Sequence, residues 1–396
     1  MKYAKLLVAI LVVTSFVIVS CTPKSGPAPA PAGPASGAST DAGKVSQKTG
    51  WEAEWEKSLV EARKEGKVGV YASLVGPPLR EQAGMLKQKY GIELEITTGR
   101  GSEVAQKLIR ERAAGIYIAD IAISGLNTFF GDIKPSGGSV PLPSELILPE
   151  VTDPRLWYKT NELPWADEAK HVFSFFAYPN TDIHVNADFV KAGEIQSWQD
   201  LLNPKYKGKI IWSDPSVSGS GLNGYSTLVF HKVLTPDFYR ELVAKQDIQV
   251  TRDLRLQVDW LARGKAWIAI SAEGTPIAEF VKAGANLAPV TPKEGTYLSV
   301  DAGNMSIMKQ APHPYAARVF TNWLLGKEGQ AFLQQAMQYQ SGRVDIGTEG
   351  VNPANVRQPG VNYFIGANSI EKWVLEEQSK YVAQAKEIFA PATVGR

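Results

Sequence analysis

The chain has 396 residues, 44% of them hydrophobic and 21% charged, with 42 Lys and Arg against 40 Asp and Glu. That length holds two domains or lobes with sizeable cores, and a net charge of +2 excludes a nucleic-acid binder that relies on a broad basic surface. One cysteine, Cys21, excludes an intramolecular disulfide, and four scattered histidines (His171, His184, His231, His313) without HExxH or HxxxH spacing argue against a His/Cys zinc site.

Lys2 and Lys5 precede an uncharged, mostly apolar run over residues 6–20. It is short for a spanning helix, which needs about 20 apolar residues, and fits a secretory leader. It ends Ile18-Val19-Ser20-Cys21, which resembles the bacterial lipobox, so residues 1–20 read as a lipoprotein signal peptide and Cys21 as the lipidated residue. The other reading is a signal anchor with an incidental thiol. If Cys21 is lipidated, the folded part keeps no thiol for redox chemistry. Residues 21–49 follow as a tether rich in Pro, Ala, Gly and Ser, with Val45 its one larger aliphatic. Such a segment buries too little to offset its ordering entropy. As a flexible coil it averages about 30 Å end to end.

From residue 50 the pattern alternates. Residues 51–66 read as an amphipathic helix closed by Gly66, 67–73 as a buried strand, and 77–90 as a helix with Pro77 at its start and Gly91 at its end. Residues 92–97 are a strand, 101–114 a helix stopped by Gly115, and 118–124 a third strand. This order implies right-handed βαβ units and a mainly parallel sheet. A second block gives a strand at 209–212, helices at 222–234 and 252–263, a strand at 266–271 and a helix at 276–283. Two long helices, 314–338 and 369–389, close the chain. Two extended segments, 172–186 and 297–309, lie between the blocks. They read either as edge strands or as crossovers joining two α/β lobes.

Ligands of open α/β sheets bind at the carboxyl ends of strands, beside helix N-termini. The loops so placed are 73–76 with Ser73, 98–102 with Arg100 and Ser102, 124–127 with Ser124, 213–221 with Ser218, Gly219 and Ser220, and 271–275 with Glu273. Serine hydroxyls and open N–H groups in 213–221 suit a phosphate or carboxylate, though a plainly capped helix start reads the same way. Residues 219–224 match GxGxxG, but 213–218 separate them from the strand and no acidic residue closes a neighbouring strand about 20 positions on, so a dinucleotide site is not indicated. Arg100 either clamps an anion or is a solvated loop residue. Glu273 is either a ligand contact or a first-turn carboxylate. Asp301 and Asn304 either line a cleft or face solvent. Neither a GxSxG elbow nor a Walker A motif is found, and the chain reads as a non-enzyme.

The stretches SWQDLLNPKYKGKII (197–211), DPSVSGS (214–220), GNMSIMK (303–309), APHPYAARVF (311–320) and LLGKEGQ (324–330) resemble the extracellular solute-binding proteins of bacterial ABC importers, in particular the ferric-iron-binding group. The resemblance runs from about Lys67 to Gln330. It implies an α/β, two-lobed, type II periplasmic-binding-protein fold, with two mixed sheets flanked by helices and joined by two crossover strands. Lobe 1 would comprise 50–175 and 298–342, lobe 2 would comprise 176–297, and a C-terminal segment, 343–396, would pack on lobe 2. It implies a lipid-anchored monomer on the periplasmic or extracellular face, with a small-molecule solute, a membrane permease and the membrane itself as partners, and neither nucleic acid nor cofactor. The group's iron ligands fall near Leu74 or Val75, Ser124 or Gly125, and Ala272-Glu273, and none matches. The expected solute is therefore anionic or zwitterionic, with Arg100 near its anionic group and Glu273 and Asp301 toward any cationic end. Ferric iron or its chelate is the alternative, and a secreted enzyme or a structural surface lipoprotein are lesser ones.

Overall fold

The computed structural model describes residues 50–394 apart from 160, 181, 218, 273 and 366–369. The leader, Cys21 and the tether lie outside the described residues, as do Ser218 and Glu273.

Two mixed sheets organise the chain. The first holds five strands in the order Glu93–Thr98, Lys67–Ala72, Ile121–Ser124, Asn304–Ile307, Phe173–Ser174. Its first three strands are parallel, and Asn304–Ile307 runs antiparallel to both its neighbours. The second holds six, Leu287–Val290, Ile183–Asn186, Ile268–Ile270, Ile210–Ser213, Gln249–Thr251 and Thr393–Val394, of which Ile183–Asn186 is antiparallel to its neighbours. A short third sheet joins them. Tyr178–Asn180 and Thr296–Ser299 pair antiparallel, and Tyr363–Phe364 pairs parallel with Thr296–Ser299. The two extended segments of the sequence are thus the crossovers: 172–186 runs from the first sheet through the third into the second, and 297–309 runs from the third into the first.

Each lobe has its own core. Val68, Val70, Ile121, Ile123, Trp157, Phe173, Met305 and Phe320 are buried together around the first sheet. Trp198, Ile210, Trp212, Tyr225, Tyr239, Ile268 and Phe389 are buried around the second. The central strands are buried on both faces, which is why they read as continuous apolar runs rather than as alternation.

Element ends follow local chemistry where a strong signal exists. Trp51–Glu65 closes on Gly66, and Ala83–Tyr90 on Gly91, both glycines left-handed at φ 74° and 75°, where a side chain would be strained. Three expectations need correction. The helix expected at 77–90 is two, Gly76–Glu81 and Ala83–Tyr90, because the Gln82 N–H bonds Leu79 O three residues back and breaks the register. The helix expected at 314–338 is two, Pro314–Leu325 and Lys327–Met337. Gly326 is extended between them (ψ 168°), and a Cβ on Gly329 would lie 2.4 Å from Trp323 O, so the second helix folds tightly on the first. The last long helix widens into a π turn at Trp373–Glu377 before Gln378–Phe389. Helix Pro236–Gln246 escaped the sequence reading although its start signal is present, with Thr235 Oγ1 accepting from Phe238 N–H at 3.2 Å and Pro236 as first helical residue.

Residues 343–396 do not pack on lobe 2 alone. Arg343 bonds Glu150 O and Leu325 O in lobe 1, while helix Gln378–Phe389 enters the lobe 2 core through Ala385, Ile388 and Phe389 and Thr393–Val394 joins the second sheet.

Candidate functional site

The carboxyl ends of both sheets face the connecting strands. In lobe 2, strand Ile210–Ser213 turns through 214–219 into helix Ser220–Phe230. Gly221 permits that turn, since a Cβ there would lie 2.0 Å from Ser213 O. The Ser220 hydroxyl donates to Ser271 O at 2.8 Å and lies 3.3 Å from Ser213 Oγ, so it ties two strand ends together. Gly219 is exposed, and the first N–H groups of the helix have no intrahelical acceptor. Ser271 sits at φ 54°, a strained conformation for a side-chain-bearing residue, and its buried hydroxyl has no partner among the described residues.

In lobe 1, the Ser124 hydroxyl is also buried without a partner among the described residues. Ser73 is half-buried at the end of its strand, with its N–H on Ile123 O. Arg100 is exposed and caps helix Gly101–Ala113, its N–H donating to Glu103 Oε2 at 3.1 Å. Ser102 is exposed on that helix.

Asp182 pins the crossovers to lobe 2. Its Oδ2 accepts from Thr296 Oγ1 at 2.9 Å and Tyr297 N–H at 3.2 Å, and its backbone oxygen accepts from Ser271 N–H at 2.6 Å. Burial raises its carboxyl from 3.8 to about 6, against the pull of those hydrogen bonds.

Between the lobes is a narrow, solvent-connected cleft with a cavity volume of about 30 Å³. Leu126, Val300 and Asp301 line one side and Asn223 and Thr227 of helix Ser220–Phe230 the other, with Tyr297 from a crossover. The last wall is Ile365, Trp373, Val374 and Gln378. That wall bridges the lobes. Lys134 of lobe 1 pairs with Glu371 at 2.7 Å, Trp373 packs edge-on against Phe230 with ring centroids 5.0 Å apart, and Tyr225 of lobe 2 donates to Gln384 at 2.7 Å.

Asp301 stands in the turn between Thr296–Ser299 and Asn304–Ile307. Its Oδ1 accepts from Leu126 N–H at 2.7 Å, and fully buried Asn304 braces the turn by donating to Asp301 O at 3.0 Å and Ser124 O at 3.3 Å. Burial raises the Asp301 carboxyl, partly opposed by the Leu126 N–H. Tyr297 is raised first by burial and then by the negative charge of Asp301.

Of the nine ligand-contact residues expected from sequence, seven are among the described residues, and of those seven Asp301 alone lines this cleft; Ser220 is spent on internal bonding, and Arg100 and Ser102 face solvent. Asn223, Thr227, Trp373 and Gln378 were missed. The first two lie on a helix read from its apolar residues, and the last two come after residue 343, where no motif marks a site.

Residues 168–336 match the bacterial extracellular solute-binding protein family. An uncharacterized Haemophilus influenzae protein is 32% identical over 141 residues, which are 34% of this chain and 38% of that relative's length. Among solved structures, an ABC transporter protein from Clostridium perfringens superposes with TM-score 0.63 at 18% identity, over 81% of this chain and 99% of that one. A Trichodesmium protein in complex with iron and citrate gives 0.61 at 15%, over 82% and 99%. The Actinobacillus pleuropneumoniae periplasmic binding protein with fructose-6-phosphate bound gives 0.54 at 20%, over 82% and 99%. The fold is that of the two-lobed, type II periplasmic binding proteins. Here the cleft has a third wall, supplied by Ile365, Trp373, Val374 and Gln378.

Proposed function

We propose that the protein is the solute-binding component of an ABC importer, which captures one small solute between its lobes and passes it to a membrane permease. The observation that carries this reading is the cleft itself, walled by both lobes and crossed by the paired strands Tyr178–Asn180 and Thr296–Ser299, about which hinge closure would occur. The solute is zwitterionic in this reading, with its anionic group at the turn 214–219, where open helix N–H groups favour negative charge. The neighbour with iron and citrate gives ferric iron as the second reading. Native mass spectrometry of the purified protein should find a bound small molecule. Scattering with that molecule at saturation should give a smaller radius of gyration than the stripped protein; an equal radius would remove lobe closure.

The lipobox and tether support a lipid anchor at Cys21 and with it a location in the cell envelope. Cys21→Ser should leave the protein unprocessed or release it to the soluble fraction. Processing and membrane retention equal to wild type would refute the anchor.

A further inference from the structure

We infer that Asp301 is the counter-charge for a cationic group on the solute, an ammonium or its alkylated form, held against the rings of Tyr297 and Trp373. This rests on the receptor reading and narrows it.

One oxygen of Asp301 is taken by Leu126 N–H. The other has no hydrogen-bond partner among the described residues, and Asp301 joins no ion pair there. The polar groups that share its cleft, Asn127, Asn223, Thr227 and Gln378, are neutral. A half-buried carboxylate among neutral groups has its ionised form disfavoured, and its raised pKa agrees. A solute cation removes that penalty, whereas an anion at the same place is repelled. Amide and hydroxyl oxygens accept from an ammonium, and aromatic faces attract it further once water is excluded.

The C-terminal segment belongs to this site. Trp373 is buried, with its ring centroid 5.0 Å from those of Phe230 and Tyr381, so its position is fixed by packing rather than by the solute. The π turn at Trp373–Glu377 places Trp373 and Gln378 together on the cleft. The segment is held to lobe 1 by Glu371 and to lobe 2 by Gln384, so the cationic end is enclosed only while both holds persist.

The test uses the full chain stripped of bound solute, two pairs of probes matched but for their ammonium charge, and three single probes. These are phosphoethanolamine and its N-acetyl derivative, putrescine and its diacetyl derivative, glycine betaine, inorganic phosphate and ferric citrate, measured by calorimetry. An ammonium-bearing probe should bind at least tenfold more tightly than its acetylated partner. Asp301→Asn keeps an acceptor for Leu126 N–H and should erase that preference, weakening the cationic probe on the order of 10- to 100-fold. Trp373→Leu should weaken it several-fold while leaving phosphate unchanged. Equal binding within each pair, or binding of the ammonium-bearing probes that ignores Asp301→Asn, would overturn the inference and leave the receptor reading standing. If no probe binds and nothing rides on the protein as purified, the receptor reading falls, and this inference with it.

Discussion

Arg343→Ala should lower the stability of the protein by about 3 kcal/mol, read as a lower urea midpoint at unchanged slope. The Arg343 side chain is 1% exposed. Its Nε and Nη2 reach both oxygens of Asp345 at 2.9 Å, and Nη1 donates to Glu150 O at 2.7 Å and Leu325 O at 3.2 Å. Its guanidinium also lies 5.7 Å from the ring of buried Trp157. Removal therefore leaves two carbonyls without their donor, a carboxylate without its fork, and a cavity beside an indole. Burial alone would raise the Asp345 carboxyl, but the hydrogen bonds and charge of Arg343 hold it below its ordinary value. Asp345 is 26% exposed and rehydrates in the variant, which keeps the loss at the lower end of that for a fully buried pair. Arg343→Lys retains the charge but cannot span both oxygens and the carbonyls, so it should fall between wild type and alanine. An alanine variant within about 0.5 kcal/mol of wild type would refute this account.

Asp182→Asn should stabilise the protein at pH 7 and expose a pH dependence that wild type conceals. Asp182 and His184 are both buried at the start of strand Ile183–Asn186. Burial raises Asp182 from 3.8 to about 6 and lowers His184 from 6.5 to about 4. Between pH 4 and 6 the folded state holds more protons than the unfolded at Asp182, so this group makes stability fall as pH rises. Over nearly the same window the unfolded state holds more protons at His184, so that group makes stability rise. The two slopes are opposite and similar, and wild type should be nearly flat with respect to them. Asparagine keeps an acceptor for Thr296 and Tyr297 and removes the ionisation. The variant should gain roughly 2 kcal/mol at pH 7 and show stability rising by up to about 1.4 kcal/mol per unit from pH 4 to 6.5. Adding His184→Gln should flatten that rise. Chemical unfolding at half-unit steps of pH measures both effects, and a variant whose profile parallels wild type would refute the pairing.

Much of the fold was legible in the sequence because its signals are local. Gly66 and Gly91 end helices by a left-handed residue that only glycine adopts cheaply, and the runs at 68–72 and 210–212 carry no charged residue because central parallel strands are covered on both faces. The crossovers were visible as extended chain without a helix directly after it. Breaks at Gln82 and Gly326 were not, because both lie within windows whose composition favours helix and are set by how the next helix packs.

The candidate site was less legible, for a different reason. The alternation of strands and helices, the leader with its single cysteine, and the loops that end up at the carboxyl edges of the two sheets can all be read from the chain, since each depends on neighbours a few residues apart. Which polar groups remain open at those edges is decided by contacts between distant stretches. Ser220 reads as a ligand contact until Ser271 O, far along the chain, is found to accept its proton. Asp301 reads equally as a cleft residue or a solvent-facing one until it is found lining a cleft whose other polar groups are neutral. Trp373 and Gln378 carry no motif, and they reach the cleft because a π turn and two anchors, Glu371 on one lobe and Gln384 on the other, carry the C-terminal segment across it. Hydrogen-bond satisfaction and desolvation depend on every group within a few ångströms, and those groups come from separate stretches of the chain.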